Sequence, residues 1–350
     1  MLFRSRWIAE QAWPGSRIKP KRLYLNGGGQ LGERAGKPSR LAWRSPQTLG
    51  LDGGELMPWF QHGPSPEMPG DQRADDGKSL CFDSAPLGKT LEILGTTECN
   101  VEFSVDRPTA FICVRLCDVA PDGASTRVAY GIFNLTHIES ADKPIKLVPG
   151  KRYKLRMQLV DAAYSFVKGH RLRIAVSTTY WPLIWPSPEQ VTLTLTAGKC
   201  SVDLPVRPPR REDKTPPRFK PVEAAEAFKK TALTKGYRNR IVHTDMGKGE
   251  TVVEVSDDSG RNRYDPIDLI AQTQSTERYV VRDDDPLAAT AEVTWNWHFE
   301  RDNWRVRTES RTHMSCTKRE FIVKASLCAY EGDEKVFERS FEEKIPRNGN

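Results

Sequence analysis

Val101, Phe103 and Val105 alternate with polar neighbours, Tyr153, Leu155, Met157 and Leu159 do so against Arg, Lys and Gln, and Val293, Trp295, Trp297 and Phe299 repeat the pattern far downstream. A two-residue period sends successive side chains to opposite faces of an extended chain, so each run predicts a strand buried on one face. Similar runs at 22–26, 79–83, 110–119, 126–135, 170–178, 190–196 and 201–206, separated by turn signals such as Pro121-Asp-Gly123 and Pro149-Gly150, give eight or more strands and no convincing helix. So many antiparallel strands leave edges that a barrel or a two-sheet sandwich removes, and a jelly roll suits the count.

The segment Pro205-Val-Arg-Pro-Pro-Arg-Arg-Glu-Asp-Lys-Thr-Pro-Pro-Arg-Phe-Lys-Pro221 interrupts this pattern with six prolines in 17 residues. Proline removes a backbone donor and restricts the residue before it, so the segment predicts a linker. Three parts follow: a lead-in plus jelly roll at 1–206, a basic proline-rich linker at 207–221, and a second β region at 222–346. The last part opens with a helix candidate, Val222 to Ala232, ended by Gly236. It continues in alternating runs at 238–244, 251–256, 276–281, 289–299, 303–313, 319–329 and 335–344. Hairpins at Glu300-Arg-Asp302 and Tyr330-Glu-Gly-Asp333 predict a meander or an open barrel. The expected class is all-β: a jelly-roll β-sandwich followed by a second, smaller antiparallel β domain.

The net charge of +7 invites a nucleic-acid reading, but residues 1–22 carry +5 and residues 205–221 carry +4, leaving the other 311 residues at −2. A phosphate-binding face would instead run along structured elements with interleaved aromatics. No nucleic-acid partner is expected. No window approaches the ~18 to 20 apolar residues of a membrane helix, and Met1 to Arg22 lacks a signal-peptide core, so no membrane partner is expected either. The seven cysteines, at 81, 99, 113, 117, 200, 316 and 328, are odd in number and irregularly spaced. That pattern predicts reduced thiols and a cytoplasmic address. Cys113 and Cys117, four residues apart on one strand, sit about 13 Å apart and cannot bridge each other.

Gly27-Gly-Gly29-Gln-Leu-Gly32 satisfies a dinucleotide-binding spacing after a strand, but Gly36 and Pro38 stand where the phosphate-binding helix would begin and no βαβ unit surrounds it. A glycine-rich turn is the reading. A nucleophile elbow needs glycines two residues either side of its serine; Gly63-Pro-Ser65, Gly77-Lys-Ser79 and Gly123-Ala-Ser125 each lack the second. The six histidines are scattered singly, and the acidic clusters Asp75-Asp76, Asp257-Asp258 and Asp283-Asp-Asp285 follow no calcium-loop spacing. Asn134-Leu-Thr136 matches a glycosylation sequon in pattern alone. No catalytic residue, metal site or cofactor is expected.

The most unusual segment is Thr178-Thr-Tyr-Trp-Pro-Leu-Ile-Trp-Pro-Ser-Pro188, which sets Tyr180, Trp181 and Trp185 on a proline-stiffened loop. Trp181 and Trp185 are candidates for a sugar platform or an interface anchor. The structural alternative is a rigid hydrophobic corner that closes the sandwich.

Asp71-Gln-Arg-Ala-Asp-Asp-Gly-Lys-Ser-Leu-Cys-Phe-Asp-Ser84, Leu91-Glu-Ile-Leu-Gly95, Val114-Arg-Leu-Cys-Asp-Val-Ala-Pro-Asp-Gly123, Gly169-His-Arg-Leu-Arg-Ile174 and the run Ser177 to Pro182 occur in this order over more than 100 residues. Together they resemble the C-terminal jelly-roll domain of X-Pro dipeptidyl-peptidases and cocaine-esterase/NonD serine hydrolases. Lys168 departs from the proline common before Gly-His-Arg, a change confined to a turn. Residues 222–346 resemble an additional C-terminal β region carried by some cocaine-esterase-like hydrolases.

The resemblance implies a Ser-Asp-His triad on a separate α/β-hydrolase domain, N-terminal to the jelly roll, and no residue of this chain matches it. It also implies that the region after Gly53-Gly54 leans on that domain and can lend an apolar side chain to the acyl pocket. Trp59 and Phe60 are the candidates, an ordinary exposed loop being the alternative. The leading expectation is thus the non-catalytic C-terminal portion of such a hydrolase, capping the active site of an α/β-hydrolase partner supplied in cis or in trans. The chain is then a gene fragment or a split-enzyme subunit. Two other classes compete: a free-standing carbohydrate- or protein-binding jelly roll, and a hydrolase with an unfamiliar site.

Overall fold

The computed structural model of the chain describes residues 6–56, 67–215 and 217–350. Before the proline-rich segment run β1 (Lys19–Asn26), β2 (Gln30–Gly32), β3 (Ser39–Trp43), β4 (Leu80–Asp83), β5 (Leu91–Gly95), β6 (Glu98–Val105), β7 (Phe111–Val119), β8 (Ser125–Asn134), β9 (Tyr153–Gln158), β10 (Ala162–Phe166), β11 (Arg171–Ser177), β12 (Leu193–Ala197) and β13 (Cys200–Val206). After it come β14 (Lys230–Ala232), β15 (Tyr237–Asp245), β16 (Glu250–Asp258), β17 (Asn262–Tyr264), β18 (Leu269–Arg282), β19 (Thr290–Arg301), β20 (Trp304–Cys316), β21 (Glu320–Glu331) and β22 (Glu334–Pro346). Among the described residues the sole α-helix is α1 (Arg73–Asp76), a single turn. The fold is all-β, as the alternation predicts.

The first thirteen strands hydrogen-bond in the order β3-β12-β6-β13-β1-β2-β4-β11-β7-β8, with β9 beside β6 and β5 joining β10 to β13. Alternation decides which side chains enter the core. In β9 Tyr153, Leu155 and Met157 are buried while Lys154, Arg156 and Gln158 are exposed. In register, Leu155 lies opposite Val101 and Tyr153 opposite Phe103, whose rings stack at 5.8 Å. Strand β7, flanked by β11 and β8, is buried at every position except Phe111. Phe82, Phe103, Ile112, Leu116 and Ile174 are fully enclosed between the layers, each worth roughly 1.5–3 kcal/mol of transfer free energy. The glycine run at 27–29 is the turn from β1 into antiparallel β2, with Gly28 at φ +71° and no phosphate-binding helix after it.

The second sheet is antiparallel, ordered β14-β17-β18-β19-β20-β21-β22, with the β15-β16 hairpin on the later half of β18. It buries little apolar surface of its own: Val253, Val280, Val281 and Ala289 are its enclosed hydrophobic side chains among the described residues. A large part of its order therefore comes from the ladder and from contact with the jelly roll. Trp181 packs with Val281 and Ala289, and Trp185 meets Phe321 edge-on at 5.9 Å. Thr48 N–H donates to Asp283 Oδ1 at 2.9 Å. At the C-terminus, Arg347 donates to the Pro186 carbonyl at 2.6 Å, and Asn134 Nδ2 and Thr136 Oγ1 both donate to the Gly349 carbonyl.

One local expectation is corrected. Residues 221–229 form no helix, and Lys230–Ala232 is strand β14. Val222 is 92% and Phe228 56% exposed, so no neighbouring surface takes up the apolar stripe that a short helix needs for stability. The start of the proline-rich segment is packed against the first sheet's surroundings through one side chain. The Arg207 guanidinium is fully enclosed and reaches Glu10 at 2.7 Å, Glu92 at 3.2 Å and Asp213 at 2.5 Å.

Candidate functional site: the loop platform at one end of the sandwich

Three segments meet at one end of the sandwich: 45–56, 67–79 and 177–186. Gly50 carries φ +114°, and a Cβ there would lie 2.5 Å from the Trp181 carbonyl oxygen, so only glycine fits. The close approach lets Trp181 N–H donate to the Leu49 carbonyl at 2.7 Å. Gly50 N–H in turn donates to Asp75 Oδ1 at 2.9 Å.

Beneath the loops lies a buried polar network. Arg115, with no exposed surface, donates to Gln72 Oε1 at 2.9 Å and Ser79 Oγ at 2.8 Å and pairs with Asp76 at 3.0 Å. Asp76 also accepts from Ser125 Oγ at 2.7 Å and from Arg173 at 3.0 Å, while Arg173 holds Asp83 bidentately at 2.7 Å. Gln72 Nε2 donates back to the Asp52 and Gly70 carbonyls at 2.7 and 2.9 Å. The segment 71–84 is thus a polar keystone that fixes loop 45–56 against α1. Burial pushes the Asp75 carboxyl above the usual carboxylate range, with the Gly50 N–H and Arg115 opposing it. Asp52 and Glu55 are raised too, again chiefly by burial. The hydroxyls of this network serve carboxylates, guanidinium groups and carbonyls: Ser125 Oγ donates to Asp76, and Ser79 Oγ donates to the Asp75 carbonyl while accepting from Arg115.

The platform's outer face is gripped by the second sheet. Arg238 of β15 is ion-paired with both Glu67 and Asp257, and Arg240, two residues on and on the same face, lies 3.9 Å from Glu55. Glu55 and Glu67 are the two roots of the segment 57–66. Beside them a cleft of about 230 Å³ is lined by Gly54, Leu56, Pro182, Leu183, Arg240 and Tyr279, among others.

Trp59 and Phe60 lie outside the described residues. Trp181 and Trp185 are brought together, ring centroids 5.6 Å apart, but Trp181 is 1% exposed and turned toward Tyr279, Val281 and Ala289. It presents no open face on which a sugar could stack. Sequence reasoning missed Glu55, Glu67, Arg238 and Arg240. Their signal was thin: an Arg-x-Arg spacing that puts two cations on one face of a strand. Exposed aromatic surface sits elsewhere, on β19, where Trp295, Trp297 and Phe299 stand at 6.2 and 6.1 Å with near-parallel planes. They line a groove of about 1360 Å³ together with Phe228, Tyr237 and Tyr264.

The profile of the X-Pro dipeptidyl-peptidase C-terminal non-catalytic domain matches residues 1–235. The chain is 26% identical over 190 residues to cocaine esterase of Rhodococcus sp., covering 50% of this chain and 32% of that protein. It is 23% identical over 246 residues to a putative Xaa-Pro dipeptidyl-peptidase of Streptomyces avermitilis, covering 57% of this chain and 34% of that one. Among solved structures, an α-amino acid ester hydrolase aligns with a TM-score of 0.47 at 24% identity, over 54% of this chain and 36% of that chain. The aligned parts thus amount to about a third of each curated relative, and the second sheet from β15 onward lies outside the profile match.

Proposed function

The chain belongs to the family of X-Pro dipeptidyl-peptidase C-terminal non-catalytic domains, and from that premise we propose that it caps the active site of an α/β-hydrolase domain, supplied in cis or in trans. In such an assembly the partner's serine attacks an ester or amide carbonyl, its histidine acts as general base, and an oxyanion hole takes up the developing charge. This chain's contribution is a preorganised wall that excludes water from the pocket.

The observation that supports this most is the ion pair of Glu67 with Arg238 at one end of segment 57–66, with Arg240 3.9 Å from Glu55 at the other, over a keystone fixed by Asp75 and Arg115. A segment held by charged contacts at both ends, with Trp59 and Phe60 in its sequence, suits the presentation of apolar side chains to a neighbouring domain. The test mixes or co-expresses the chain with an α/β-hydrolase domain of the family and follows hydrolysis of a p-nitrophenyl ester. The reading expects turnover to rise with the chain present and to fall back for a Trp59→Ala, Phe60→Ala variant. Labelling of the isolated chain by a fluorophosphonate probe, abolished by one serine substitution, would overturn it.

A second reading, a glycan-binding module, is favoured by the β19 aromatics rather than by Trp181. The groove pairs three parallel rings with Gln272, Asn262, Ser275 and Thr273, and its charged side chains balance, Lys230 and Arg238 against Asp257 and Asp258. A neutral, polyhydroxylated ligand fits that lining better than a polyanion. Retention on a glycan array that disappears in Trp297→Ala supports it, and no retention by the wild-type chain removes it.

A further inference from the structure

Strand β22 ends the nine-stranded sheet: it pairs with β21 on one side and with no described strand on the other. Its thirteen residues, Glu334-Lys-Val-Phe-Glu-Arg-Ser-Phe-Glu-Glu-Lys-Ile-Pro346, are all exposed. A long open edge is a template for another strand. Phe337, Phe341 and Ile345 share one face, 46%, 44% and 50% exposed, and lie opposite Ala329, Ala325 and Phe321 of β21, so that apolar face runs out to the edge unfinished.

We propose that this edge binds a second copy of the same chain, β22 against β22, antiparallel, about a two-fold axis at Phe341. The argument is one of register. A two-fold axis normal to a sheet keeps equivalent faces of both copies on the same side. Opposed residues must then point to the same face, so only registers centred on a residue are allowed. A centre at Glu338, Arg339 or Glu342 sets like charges against each other on the axis. A centre at Ser340 sets Glu338 against Glu342, twice. The centre at Phe341 sets Phe341 against its own copy, Arg339 against Glu343, Glu338 against Lys344, and Phe337 against Ile345. Glu342 then faces Ser340 and keeps the Lys324 ion pair it already has within its own sheet, at 3.5 Å. Among registers centred in the middle of the strand, this one alone leaves no like charges directly opposite over residues 336–346. It also joins the apolar faces of the two sheets through Phe337, Phe341 and Ile345.

Sedimentation and light scattering on the 39.6 kDa chain test the stoichiometry, and two sets of variants test the register. Residues on the axis of an antiparallel pair have Cα atoms about 4.5–5.5 Å apart, within disulfide range. Phe341→Cys is therefore expected to give a covalent dimer on mild oxidation. Phe337→Cys, eight positions from its own copy and so about 27 Å away, is not. Arg339→Glu faces Glu343 and is expected to weaken association at least tenfold, while Arg339→Glu with Glu343→Arg restores it, a rescue that misfolding would not produce. A wild-type chain that stays monomeric up to millimolar concentration overturns the proposal. So does a dimer that Phe341→Cys fails to cross-link or that ignores the Arg339→Glu charge reversal.

Discussion

Glu67, at one root of the platform loop and 2% exposed, is ion-paired with Arg238 of the β15-β16 hairpin in the other sheet. This contact ties the end of the jelly roll formed by 45–56 and 67–79 to a part of the chain beyond the family match, so the second sheet buttresses the described side of that end.

Removing one partner of a buried ion pair costs about 3–5 kcal/mol, because the remaining charge loses a counter-ion in a poorly solvated place. Arg238→Gln is therefore expected to lower stability by about that much. Glu67→Gln on top of it should cost less than the sum of the single changes. A double-mutant cycle in urea is expected to give a coupling of about 1–3 kcal/mol; additive effects would show that the pair does not hold the loop.

Two aspartates are expected to respond to pH with opposite signs. Arg207 beside Asp213 holds that carboxyl far below the usual range. Its stabilisation is present above the unfolded value of about 3.9 and is lost as the pH falls through the folded value. Asp213→Asn should thus lower the melting temperature near neutrality and make little difference in strong acid. Asp75 is raised by burial. The protein carries no penalty there below about pH 3.9 and an increasing one as the pH rises through the folded value, because a buried carboxylate must then ionise. Asp75→Asn, which keeps an oxygen to accept from Gly50, is expected to gain on the wild type as pH increases. Thermal melts across the acid range check both slopes, and parallel slopes would refute the assignment.

The strands were legible because their alternation is a local property. Tyr153, Leu155 and Met157 announce their burial within six residues of sequence, and in the structure those three are buried. What stayed hidden depends on distant partners. Arg207 reads as part of a basic proline-rich tether, yet Glu10 and Glu92, far earlier in the chain, enclose it. The 222–232 stretch has helix-forming residues and lacks a surface to cover. Trp295, Trp297 and Phe299 alternate like a core face, but no described layer covers them: Trp295 is 38% and Trp297 42% exposed, and Phe299 is half-buried. For the candidate site, the region after Gly53-Gly54 was visible through family resemblance, whereas the contacts of Glu55 and Glu67 with Arg240 and Arg238 required the fold of both sheets.

Trp181 is the largest fully buried side chain among the described residues and joins the two sheets. Trp181→Ala is expected to cost about 3–5 kcal/mol, the usual range for removing a buried aromatic ring. Because the second sheet has so small a core of its own, the loss should fall on the contact between the units. Unfolding is then expected to split into two transitions, and limited proteolysis to cut sooner between 215 and 229. A single shifted transition with an unchanged cleavage pattern would mean that the ring stabilises the sandwich alone.

The seven thiols provide a readout of the same packing. All are unbridged; Cys99, Cys113, Cys117 and Cys200 are buried, and Cys81, Cys316 and Cys328 are partly exposed. Burial pushes Cys81, Cys99, Cys113 and Cys117 up to about 12 and Cys200 to about 11. Since the thiolate is the reactive species, these five should stay almost unlabelled by a thiol reagent at neutral pH. Cys328, on strand β21, and Cys316, which accepts a hydrogen bond from Trp185 Nε1 at 3.3 Å, are then the two expected to react in the native protein. Arg238→Gln should leave that pattern of two unchanged. Trp181→Ala should speed Cys316 by at least tenfold, because loosening the Trp185–Phe321 contact exposes its sulfur. Mass spectrometry of labelled peptides counts the sites, and rapid labelling of Cys113 or Cys117 in the wild-type chain would contradict the packing of β7.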